Sequence, residues 1–71
     1  MKDEEKVLDI LKDIRADSED ILMLSNGIIN IMSNDEFDVE QSMSVIVKIL
    51  EQMFESKESL VKDINKLRRN V

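Results

Sequence analysis

Apolar residues recur along this chain at steps of three and four, and that spacing limits what it can fold into. In the first half the run is Val7, Ile10, Ile14, Asp17, Ile21, Leu24, Ile28 and Ile31. In the second half it is Val39, Met43, Ile46, Leu50, Met53, Lys57, Leu60, Ile64, Leu67 and Val71. Steps that alternate between three and four keep one stripe of a helix turned toward a neighbouring helix. Each half therefore predicts one long helix. Asp17 is the only polar residue in the first stripe, and Lys57 the only one in the second.

Residues 33–38, Ser-Asn-Asp-Glu-Phe-Asp, interrupt the pattern with turn formers and acids. Asp38 with Gln41 three residues later resembles a capping box. Asp38 and Glu40 also suit the positive end of a helix dipole. The reading is a helix over about residues 3–32, a turn over 33–38 and a helix over 39–69 in a single domain. At about 1.5 Å per residue each helix is roughly 45 Å long. Equal helices on a short connection predict an all-α antiparallel two-helix hairpin.

Charge points to the same pairing. The first helix opens with Asp3, Glu4, Glu5 and Asp9; the second closes with Lys62, Lys66, Arg68 and Arg69. An antiparallel hairpin sets these ends side by side with opposite sign, each at the dipole end that favours it. Residues 16–20 and the Asn26-Gly27 pair are places where the first helix could break into two. The stripe passes through both without a slip, which favours one helix.

A chain of 71 residues buries little surface by itself. It has no Cys and no His, so neither disulfides nor a zinc site staples it. With no Pro and a single Gly, it lacks the punctuation of a β-rich fold. What remains is association, and dimerisation into a four-helix bundle is the expected solution. Apolar residues are densest near the turn. There Leu22, Met23, Ile29 and Met32 widen the first stripe, and Val45, Val47, Ile49 and Phe54 widen the second. A single seam cannot cover them all.

Catalysis has little to work with. His, Cys and Tyr are absent, so acid–base chemistry would fall to carboxylates or Lys. No Gly-rich phosphate loop occurs. Asp35, Glu36, Asp38 and Glu40 cluster at the turn, but their spacing does not fit a calcium loop and the required Gly is missing. The chain is expected to be no enzyme, with no cofactor and no metal. The net charge of −6 disfavours nucleic acid and anionic membranes as partners. Lys62, Lys66, Arg68 and Arg69 could touch phosphates, but pairing with the acidic start of the first helix accounts for them better. Met32, Met43 and Met53 read as core filling or as an adaptable lining. No apolar run reaches the length of a membrane span, and the first residues lack a secretory leader's apolar stretch. A cytoplasmic location is expected.

Two sets of candidate residues follow. Asp17 and Lys57, the two breaks in the seams, lie within about one helical turn of the same level and are the candidate register pair. Leu22, Met23, Ile29, Val45 and Ile49 are the candidate partner-binding residues. The functional expectation is a homodimeric protein–protein interaction module, a regulator, adaptor or chaperone-like protein. A purely structural subunit of a larger helical assembly is the alternative.

Overall fold

The computed structural model describes residues 4–70. Asp3, where the sequence starts the first helix, and Val71, the last residue of the second stripe, lie outside the described residues. Two helices form the fold: α1, Glu4–Met32, and α2, Val39–Arg69, packed against each other as a hairpin. The molecule measures 55 × 16 × 10 Å between Cα extremes.

α1 runs unbroken through residues 16–20 and 26–27. Ser18 does not cap a new helix, because its hydroxyl donates back to the Ile14 carbonyl at 2.8 Å. Arg15 and Glu19, one turn apart, add an exposed ion pair at 2.8 Å. Gly27 is helical with an ordinary negative φ. α1 ends where the Ser33 amide and hydroxyl both donate to the Ile29 carbonyl.

The connection is held by short-range polar bonds. The Asn34 side chain accepts from the Glu36 amide, and the Asn34 carbonyl accepts from the Phe37 amide. Asp38 then caps α2, its Oδ1 accepting from the Glu40 amide at 2.9 Å and the Gln41 amide at 3.4 Å. At the far end the Asn70 amide donates to the Leu67 carbonyl and its side chain donates to the Lys66 carbonyl. The last turn carries Lys66, Arg68 and Arg69, which complement the negative end of the helix dipole.

In α1 the eight residues of the apolar stripe, from Val7 to Ile31, are all buried or half-buried. α2 differs from the stripe drawn on sequence. Its half-buried or buried positions are Ser42, Ile46, Ile49, Met53, Ser56, Leu60, Asp63, Ile64, Leu67 and Asn70. Met43, Leu50 and Lys57 are exposed instead. The seam of α2 thus uses the residue before each of these three: Ser42, Ile49 and Ser56. Ile46, Met53, Leu60, Ile64 and Leu67 stay inward as the stripe has them, and only the alternate positions step back by one residue, so the centre of the buried stripe turns by about 50°.

Candidate interaction surface

That rotation decides what the hairpin shows to its surroundings. Among the described residues only Ile10 (6% exposed) and Asp63 (7%) are buried. Thirteen large apolar side chains among the described residues are instead left half-open, and all but Met23, Val39 and Val45 follow a rule. On α1 they are Leu8, Leu11, Leu22, Ile29 and Met32, each one residue after a seam position. On α2 they are Met43, Val47, Leu50, Phe54 and Val61, again each one residue after a seam position.

One residue onward is a 100° turn about the helix axis. The two helices run in opposite directions, so the same turn carries both sets to the same side of the hairpin. One broad face is therefore apolar. The opposite side carries the residues just before the seam positions. There a groove is lined by Asp20, Met23 and Leu24 from α1 and by Gln52, Glu55 and Ser56 from α2. It is polar but for Met23, which is 71% exposed, and Leu24 at its floor.

The five candidate partner-binding residues fall in three places. Leu22 and Ile29 stand on the apolar face. Met23 and Val45 are exposed on the polar side. Ile49 is in the seam, where its Cδ1 stands 3.8 Å from the Cβ position of Gly27. Leu8, Leu11 and Val61, which the sequence sets beside the stripes at the open end, are exposed, and so are Met43 and Leu50, which its spacing puts in the seam. Apolar spacing assigns Met43 and Leu50 to the core because they are more apolar than the Ser residues that turn inward.

Asp17 and Lys57 are not brought together as a pair. Lys57 is exposed and lies over its own helix's Phe54 ring, 5.5 Å from the centroid. Asp17 faces the seam, and the charged group it meets there is Asp63. The rotated phase of α2 is the cause, since it turns Lys57 out and Asp63 in. Asp17 Oδ2 is shielded from solvent without a hydrogen-bond partner. Burial, then the hydrogen bond and charge of Asp17, push the Asp63 carboxyl above its usual 3.8; Asp13 adds to this and Lys66, at 3.8 Å, opposes it.

No group of three or more acidic side chains among the described residues is arranged to hold a metal ion. Among the same residues no helix is long and apolar enough to cross a membrane. In comparison with known proteins, the chain matches no family model, no curated protein and no solved structure.

Proposed function

We propose that the chain is a small non-enzymatic protein–protein interaction module that acts through helix-face contacts as a homodimeric four-helix bundle. The observation that carries this reading is the one-sided apolar face, ten large side chains each 42–61% exposed on a hairpin of two helices. Apolar patches of this extent on one face, parted by a polar belt, are costly in water and mark a place of contact. Catalysis has no comparable support, since the two polar grooves combine carboxylates, an amide, hydroxyls and Lys62 with Met23 and Leu24 and set no base beside a nucleophile. Met23 and Val45, on the other side, remain accessible to a second chain once the apolar face is covered. Asp20 and Glu55 flank Met23, so that chain would carry basic and apolar residues. A Cys-free acidic chain suits the cytoplasm as its setting.

The test is retrieval of the tagged chain from its native host, beside the Met23→Glu variant. A second chain held at fixed ratio by the native protein and lost by the variant supports a regulator, adaptor or chaperone-like role. Assembly into one large species containing this chain alone supports a structural subunit and removes the reading.

A further inference from the structure

We infer that the apolar face is covered by a second copy of this chain lying parallel to the first, turn beside turn, with the twofold axis along the hairpin's length. The inference rests on the homodimeric interaction reading for the claim that a second copy covers the face, and it adds the orientation of that copy.

Size comes first. A face 55 Å by 16 Å offers roughly 900 Å² per copy, and a stable interface takes about 800 Å² from each partner. The phase of α2 points to the same kind of occupant. Its apolar arc runs from the seam outward through Met43 and Leu50 to Val47 and Phe54. The centre of that arc lies between the neighbouring helix and the open face. A helix in a four-helix bundle has its core in that direction. A pair of helices of matching length would complete that core, and this chain is such a pair.

Orientation follows from how apolar and polar levels alternate along the face. Leu22, Ile29 and Met32 with Phe54, Leu50 and Val47 form a large apolar patch toward the turn. Arg15, Ser18 and Lys57 form a polar belt. Leu8 and Leu11 form a smaller patch at the open end, and Val61 stands at the level of Arg15, in the belt. A parallel copy sets each level against its own kind. A fully overlapped antiparallel copy lays the belt on the large patch. An antiparallel copy shifted to match the large patches covers about half the area, short of a stable interface.

Overall charge does not favour this orientation, but the local rim charges at the belt fit it. A twofold axis along the hairpin places α1 of each copy over α2 of the other. The contact of Gly27 with Ile49 sets the levels. Counting outward from it, Leu22 is level with Phe54, Ile29 with Val47, and Glu19 with Lys57. The bonded Arg15–Glu19 pair of one copy then lies opposite Lys57 and Glu58 of the other, with opposite signs adjacent.

The chain has no Cys, so single introduced cysteines report the arrangement cleanly. Ile29→Cys is mixed in turn with Val47→Cys, Leu22→Cys and Leu8→Cys and oxidised, with mass in solution and helicity measured alongside. All four positions are exposed, so each variant keeps the fold. The expected result is twice the chain mass and a disulfide-linked product with Val47→Cys alone. Cross-linking to Leu22→Cys or Leu8→Cys overturns the inference in favour of an antiparallel copy. A helical monomer also overturns it. If that monomer still retrieves a Met23-dependent second chain, the interaction reading survives without the dimer. A parallel dimer that retrieves no second chain supports the inference and removes the reading.

Discussion

Asp17 of α1 and Asp63 of α2 face each other across the seam, two acids at a level where packed helices ordinarily bury Leu or Ile. Neither has an opposite charge within the seam itself. Lys66 reaches Asp63 only from the next turn of the same helix, at 3.8 Å.

This arrangement gives the hairpin an inverted response to acid. The Asp63 carboxyl is raised in the folded state by burial and by Asp17, whereas in the unfolded chain it titrates near 3.8. A raised acid binds protons more tightly when folded, so stability falls as pH rises from 3.8 through the raised value. It is regained as pH falls back through that window. Thermal melting followed from neutral pH down toward pH 4 should show the melting temperature rising. Asp63→Asn should flatten that rise and melt higher than the native chain at neutral pH. A native melting temperature that falls steadily over the same range would show that the pair does not govern the response.

Gly27 tests the fit of the two helices where it faces Ile49. Its φ is negative, and a Cβ there would stand 3.8 Å from Ile49 Cδ1, an ordinary contact. Gly in a helix interior costs about 0.5–1 kcal/mol relative to Ala. Gly27→Ala should therefore stabilise by about that amount, a rise of about 2–8 °C in melting temperature. A loss of stability would mean the helices pack closer there than the contact implies.

The cap on α2 should be worth a similar amount with the opposite sign on mutation. Asp38 Oδ1 satisfies two first-turn amides, and nothing else nearby replaces it. Asp38→Ala should cost about 1 kcal/mol, and Asp38→Asn or Asp38→Ser much less. Denaturant melts of the three variants decide it, and equal losses would assign the effect to the charge of Asp38 instead of its hydrogen bonds.

How much of this was legible in the sequence depends on which helix is considered. In α1 the inward positions are Ile, Leu and Val except for Asp17, so hydrophobic spacing and geometry coincide. The two-helix architecture followed directly. In α2 they part. Ser42, Ser56, Asp63 and Asn70 turn inward, while Met43, Leu50 and Phe54 stay out. Apolar spacing identifies the residues that are buried when the protein's contacts are complete, and one hairpin is not complete. The mismatch between the apolar stripe and the hairpin seam is what the proposed second interface would account for. It placed the register pair at Asp17 and Lys57 where the hairpin has Asp17 and Asp63. Met23 and Val45 stood out as lying far from the stripes, but their separation from Leu22 and Ile29 became visible only when the phase of α2 was known.

That separation gives a paired prediction. Leu50→Glu or Phe54→Glu puts a charge on the apolar face, and each should reduce the assembly to monomers with lower helicity. Met23→Glu and Val45→Glu put the same charge on the polar side and should leave mass and melting temperature nearly unchanged, within about 0.5 kcal/mol. Sedimentation and circular dichroism of the four variants separate the two faces. Equal effects on both faces would mean that the apolar side is not the one in contact.

Salt gives the last test, and it sets two forces against each other. Residues 18–56 hold eight acids and one base, Lys48, a net charge of −7. The remaining described residues, 4–17 and 57–70, hold seven acids and eight bases, a net of +1. A parallel dimer brings the two acidic halves together and an antiparallel one sets each against the neutral half, so charge alone favours antiparallel. Most of these acids are exposed, and exposed charges interact by only about 0–1 kcal/mol per pair and are screened beyond about 8 Å at physiological salt. Ten half-open apolar side chains, at about 25 cal/mol per Å² of surface covered, outweigh that repulsion. The repulsion should still be measurable. Raising the salt from about 20 mM to about 500 mM shortens the screening length several-fold. The parallel dimer should then tighten, its Kd falling several-fold, and Lys57→Glu should steepen the dependence by removing a cation from the belt. Dilution series at the two salt concentrations read this directly. A dimer that loosens as salt rises would mean that opposite charges meet across the interface, the behaviour of the antiparallel arrangement.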